Sequence, residues 1–147
     1  INSTFHGHPG SLDYLWMPTN RKDSLEWLDL FLENKFSKFG DYEDAIRFEN
    51  NFLFHSALSP VLNMGLLTPD EVVNKALEFS KTHSIPINSL EGFIRQIIGW
   101  REFIRGIYHY KGNEEIKSNY WKHDRKLTNH WYEGTTGITP PAFTITH

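Results

Sequence analysis

The sequence predicts an all-α protein. Apolar residues recur at three- and four-residue steps over long stretches, and helix-start signals precede those stretches. No run alternates apolar with polar residues as a half-buried strand would. The 147 residues suffice for one domain with its own core.

Residues 1–22 contain Gly7, Pro9, Gly10 and Pro18 and form an irregular lead-in, leaving 23–147 as the helical domain. From Asp23 onward, Leu25, Leu28, Phe31, Leu32, Phe36 and Phe39 make one apolar stripe, which Gly40 ends. A short helix is expected around Glu43–Arg47. Ser56-Ala57-Leu58-Ser59-Pro60 is a further helix start, because proline is tolerated in a first turn whose N–H groups have no intrahelical partner. Gly65 closes that segment.

Thr68-Pro69-Asp70-Glu71 combines a cap, a first-position proline and first-turn acids, and its helix should run to about Thr82. Ile85-Pro86-Ile87 is a break. Asn88 and Glu91 have capping-box spacing ahead of the longest helix, roughly 89–110. That helix is apolar at Leu90, Phe93, Ile94, Ile97, Ile98, Ile104, Ile107 and Tyr108, and Arg95, Arg101 and Arg105 interrupt it. A helix apolar on more than one face expects partners on both sides. Residues 111–137 hold one or two short helices, and Thr139-Pro140-Pro141 starts another. The sequence begins at Ile1 rather than Met and stops as a helix begins, which suits a portion of a longer parent.

Aromatic residues make up 15% of the chain, a proportion that suits a thick core or a flat ligand. There is no cysteine, so disulfides and Cys-ligated metal clusters within these residues are excluded. The eight histidines form no metal-binding spacing, so no metal site is expected, and His6 and His8 are read as surface residues. No apolar run approaches the roughly 20 residues that span a bilayer, and no membrane partner is expected. The net charge is −3, but it is unevenly spread. Residues 23–90 carry 5 basic and 11 acidic side chains, whereas 91–126 carry 8 basic and 5 acidic. The second stretch could meet a phosphate backbone or be an ordinary solvated face.

Three groups of residues could carry chemistry. Ser56 and Ser59, three apart at a helix start, could both face an anion such as a pyrophosphate, or Ser56 could simply cap the helix. Arg101 and Arg105, one turn apart, could clamp a phosphate, or Arg101 could pair with Glu102 or Glu91. Gly99 costs about 1 kcal/mol against Ala inside a helix, so close approach of an aromatic, a ligand or a bulge is expected there. Trp131 and Tyr132, before Gly134-Thr135-Thr136-Gly137, are read as core aromatics, with a redox role as the alternative.

Several segments, in this order, resemble the photolyase/cryptochrome superfamily, in particular its prokaryotic (6-4) photolyase-like, deoxyribodipyrimidine photolyase-related branch. They are Trp16 with Thr19-Asn20-Arg21, Phe39-Gly40-Asp41-Tyr42-Glu43-Asp44-Ala45, the stretch from Leu53 to Leu67, the stretch from Glu91 to Gly106, and Trp131 to Gly137. The most specific of them is Gly92-Phe93-Ile94-Arg95-Gln96-Ile97-Ile98-Gly99-Trp100-Arg101-Glu102-Phe103-Ile104-Arg105-Gly106.

The resemblance implies the first portion of a helical FAD-binding domain. It implies that Tyr42, Ser56, Leu58, Ser59 and Arg101 lie at the FAD phosphates, with His55 beside them where many relatives have Thr. It implies that Gln96 and Trp100 face the pocket for a flipped-out lesion, that Arg105 serves damaged DNA, and that Tyr132 stands where relatives place an electron-transfer tryptophan. The implied activity is light-driven, lyase-type repair of pyrimidine photoproducts in a bacterial cytoplasm. The alternative is a cryptochrome that signals through partner proteins. Catalytic residues and the flavin-ring contacts are expected downstream of His147, so the 147 residues alone are expected to be inactive. An iron–sulfur cluster is an option for the parent only, and Pro140 stands near where such relatives have their first cluster cysteine.

Overall fold

A computed structural model of the protein describes Thr4, residues 15–47, Asn50 and residues 52–138. Most of the lead-in, with His6 and His8, and the helix start expected at Thr139-Pro140-Pro141 lie outside these residues. Among the described residues six helices follow in order: α1 Arg21–Asn34, α2 Phe36–Tyr42, α3 Ser59–Asn63, α4 Pro69–Thr82, α5 Ile87–Lys117 and α6 His130–Glu133. The only β feature among the described residues is an isolated bridge between Arg47 and Asn50, so the all-α expectation holds. The chain divides into two compact units, residues 1–106 and 107–147, with the boundary inside α5.

In the first unit, α1 starts at Arg21, two residues before the apolar stripe suggests. Asn20 caps it by accepting the Asp23 N–H at 3.0 Å. The stripe from Leu25 to Phe39 is split, because Lys35 leaves helical geometry at φ −126° and α2 restarts at Phe36. Both pieces still face one core, in which Phe31, Phe36, Phe39 and Phe93 lie with ring centroids 4.9 to 5.8 Å apart. Leu28 and Leu32 of α1, Leu58 and Leu67 beside α3, Val61 and Leu62 of α3, Val72 and Ala76 of α4, and Ile97 of α5 complete it.

The N-terminus of α4 has the expected Thr68 cap, and Glu71 extends it to a reciprocal capping box. Thr68 Oγ1 accepts the Glu71 N–H at 3.3 Å, and the Thr68 N–H donates to Glu71 Oε2 at 2.9 Å. Arg21 of α1 adds an ion pair to Glu71 and a hydrogen bond to the Leu66 carbonyl at 3.0 Å. Lys75 and Asp29 join α4 to α1 at 2.6 Å. Hydrogen bonding by Arg21, then by Thr68, holds the Glu71 carboxyl at about 2, below its ordinary 4.5. A depressed carboxyl adds stability that is complete above pH 4.5 and is lost as pH falls toward 2. Thermal melts over that window should therefore show a falling midpoint, and Glu71→Gln should flatten the slope. Because the pair is exposed, added salt should weaken the effect.

Several local expectations are corrected. Gly40 does not end a helix; it lies inside α2. No helix forms over Glu43–Arg47, where the chain turns instead. Asn88 does not cap α5, which already begins at Ile87; its side chain donates to Asp41 Oδ1 at 2.7 Å. Helix α5 also runs seven residues past the expected Tyr110, to Lys117. Gly99 admits nothing close, since an added Cβ would meet only Arg95 Cγ at 3.5 Å, an ordinary contact. Gly99→Ala should therefore stabilise the protein by about 0.5–1 kcal/mol, read as a higher urea midpoint.

The second unit has no buried residue among those described. Tyr108, Tyr110, Tyr120 and Trp121 are all largely exposed. Trp131 and Tyr132 are exposed as well, at 44% and 72%, which overturns the reading of them as core aromatics. The four residues of α6 bury none of their side chains, and Gly134 ends the helix in the left-handed region at φ 69°.

Candidate functional site

The candidate site is built around the irregular segment that leads into α3. Asn50 Oδ1 accepts the N–H groups of Phe52 and Leu53, at 3.2 and 2.9 Å, and turns the chain. The His55 N–H then donates to the Phe52 carbonyl at 2.7 Å. Leu58 is 1% exposed and anchors the segment in the core. Helix α3 begins at Ser59, with Leu58 in the cap position and no side-chain cap bond. Ser56 is thus outside the helix and does not cap it. It is 8% exposed while Ser59 is open to solvent, so the two hydroxyls do not share one exposed face.

Tyr42, at the end of α2, stacks on Phe54 with centroids 5.0 Å apart and planes 29° from parallel. This joins Tyr42 to the residue before His55. Two further contributors were not foreseen from the sequence. Lys38 Nζ lies 6.0 Å from the Phe54 ring centroid and brings a positive charge to the stack. Trp27 of α1 donates its indole N–H to the Ser56 carbonyl at 2.9 Å. Trp27 also meets Trp16 and Phe52, at 5.9 and 6.4 Å. Beside these rings an open cleft of about 360 Å³ is lined by Trp16, Asp23, Glu26, Trp27 and Leu30, among others. None of these pairings has a sequence signal, because each joins residues far apart along the chain. Glu43 Oε2 is buried without a hydrogen-bond partner among the described residues.

Gln96, Trp100, Arg101 and Arg105 lie on successive turns of α5. Trp100 is 58% exposed and meets Phe103 edge to face at 5.7 Å. The ion pairs on this helix differ from those anticipated: Glu91 pairs with Arg95 at 3.2 Å and Glu102 with Arg105 at 3.0 Å. No ion pair involves Arg101 among the described residues, and Arg101 is only partly exposed. No hydrogen bond joins these four residues to the His55 segment among the described residues. Tyr132 belongs to the second unit. No group of three or more metal-ligating side chains occurs among the described residues, and no described helix is long and apolar enough to cross a membrane.

No family model matches the sequence. Two relatives are informative. A (6-4) photolyase of Agrobacterium fabrum is 35% identical over 146 residues, 99% of this chain. The chain spans only 29% of that protein's length. "Uncharacterized protein R853" of Acanthamoeba polyphaga mimivirus is 41% identical over 105 residues, covering 71% of this chain and 80% of that protein. By the extent of these matches the chain belongs to one family with the mimivirus protein, and it is related to the photolyases.

Proposed function

We propose that this chain is the first portion of the FAD- and DNA-binding helical domain of a light-driven DNA repair lyase, of the prokaryotic (6-4) photolyase type. The observation that carries the proposal is the likeness to a (6-4) photolyase along 99% of the chain. The stacked Tyr42 and Phe54, the nearby Lys38 and the uncapped start of α3 with its exposed Ser59 suit the diphosphate end of FAD. His55, Ser56 and the backbone of Leu58 belong to the same segment, and Arg101 is the cation we assign to the phosphates from α5.

When bound, reduced and excited by blue light, FAD supplies an electron to the photoproduct. This chain's own residues bind and orient. Trp100, exposed on α5, offers a flat apolar surface against which an extruded base can lie, with Gln96 one turn away to hydrogen-bond it. Arg105 faces the DNA backbone, and Tyr132 serves electron transfer. The substrate is damaged DNA in a bacterial cytoplasm.

The remaining enclosure of the flavin lies in residues beyond this chain. Residues 1–147 alone should hold FAD weakly and repair nothing. The test uses the longer protein that carries this chain, incubated with an oligonucleotide bearing a pyrimidine photoproduct. Repair under blue light and none in the dark is expected; equal product in both would overturn the proposal.

A further inference from the structure

The segment before α3 holds an unusual backbone. Ala57 has a Cβ, yet sits at φ 52°, in the left-handed region that alanine seldom enters. A residue stays there only when its surroundings hold it. His55 Nδ1 accepts the Ala57 N–H at 3.0 Å, across two residues. His55 is exposed, so burial does not hold its ring in place.

The neighbours show what this conformation sets. Ser56, between the two residues, presents its carbonyl to the Trp27 indole N–H at 2.9 Å. Leu58, immediately after Ala57, is buried in the core. The left-handed turn at Ala57 therefore links two fixed points and decides how Ser56 and Ser59 stand relative to each other.

We propose that His55 is a positioning residue: through the Ala57 N–H it holds the turn between buried Ser56 and exposed Ser59 in a single arrangement, with Ser59 open to an anionic ligand. The ligand side of this inference rests on the diphosphate reading given above; the bracing of the loop does not. Asparagine can replace the histidine, because its Oδ1 reaches the N–H two residues on in the same way. Leucine fills similar space and cannot accept.

The experiment compares wild type, His55→Asn and His55→Leu in the longer protein that carries this chain. Two readouts are taken: hydrogen exchange of the peptide spanning 52–60, and FAD retained per protein after gel filtration. Loss of one hydrogen bond that holds a loop speeds exchange by about fivefold to tenfold. His55→Leu should show that increase and should lose FAD, while His55→Asn should match wild type in both. The inference is overturned if His55→Leu exchanges like wild type, if His55→Asn behaves like His55→Leu, or if the loop loosens without any loss of FAD. A wild-type protein that holds no FAD would instead sink the diphosphate reading, and the exchange comparison would still decide the role of His55.

Discussion

Replacing Phe93 by alanine is expected to destabilise the first unit by about 3–5 kcal/mol. Phe93 is 0% exposed. Its ring lies 4.9 Å from Phe31, 5.4 Å from Phe36 and 5.5 Å from Phe39, so it is the point where α1, α2 and α5 meet. Truncation removes the transfer free energy of a whole ring and leaves a cavity whose walls, three other rings, cannot collapse without moving helices. Phe93→Leu keeps much of the volume and should cost about 1.5 kcal/mol or less. Urea unfolding followed by circular dichroism measures both. A loss under about 1 kcal/mol for the alanine variant would mean that α5 is not held through this residue.

Gly40→Ala should be nearly as damaging, at about 3 kcal/mol, although alanine is the better helix former by about 1 kcal/mol. The two effects oppose each other and geometry decides between them. A Cβ at Gly40 would stand 2.6 Å from Asn88 C and 2.6 Å from Ser89 N. These are backbone atoms at the start of α5, so no side-chain rotation relieves the clash. Separating the helices would also stretch the bond from the Gly40 N–H to Ser89 Oγ, now 2.9 Å, and the one from Ser89 Oγ to the Ser37 carbonyl, now 3.2 Å. Glycines 40 and 99 are both helical, yet the same substitution should shift their urea midpoints in opposite directions.

That contrast marks the limit of what can be read from the chain. Local signals are legible: the Thr68 cap, Pro69 in the first position and the first-turn acids Asp70 and Glu71 appear as expected. Hydrophobic spacing finds the core side of α1, α2 and α4, because burial follows the helical period. It does not find the break at Lys35, since Phe36 and Phe39 keep the same three- and four-residue steps across it. Gly40 and Gly99 look alike in sequence; the difference is the backbone of another helix lying against one of them. Apolar spacing underestimates the length of α5, because its end is mostly polar and exposed, with helical pairs such as Lys111–Glu114 at 2.8 Å.

The candidate site follows the same rule. Ser56 and Ser59 are visible as hydroxyls near a proline, and the family resemblance assigns them a role. Their unequal exposure, the burial of Leu58 and the left-handed turn at Ala57 are not visible, because positive φ at a residue other than glycine has no dependable sequence signal. Trp131 and Tyr132 look like core residues by composition alone, yet α6 has nothing to bury them among the described residues of its unit.

The central claim, that the segment before α3 holds the FAD diphosphate, is tested most directly by flavin content. Ser56→Ala and Ser59→Ala are combined in the longer protein that carries this chain, and flavin absorbance per protein is measured after purification, with a thermal melt to confirm folding. The claim predicts a several-fold loss of flavin in a folded protein, since removing a charge-assisted hydrogen bond of about 1.5–3 kcal/mol from the exposed Ser59 hydroxyl weakens binding by about tenfold or more. Full flavin absorbance in the double variant would contradict it.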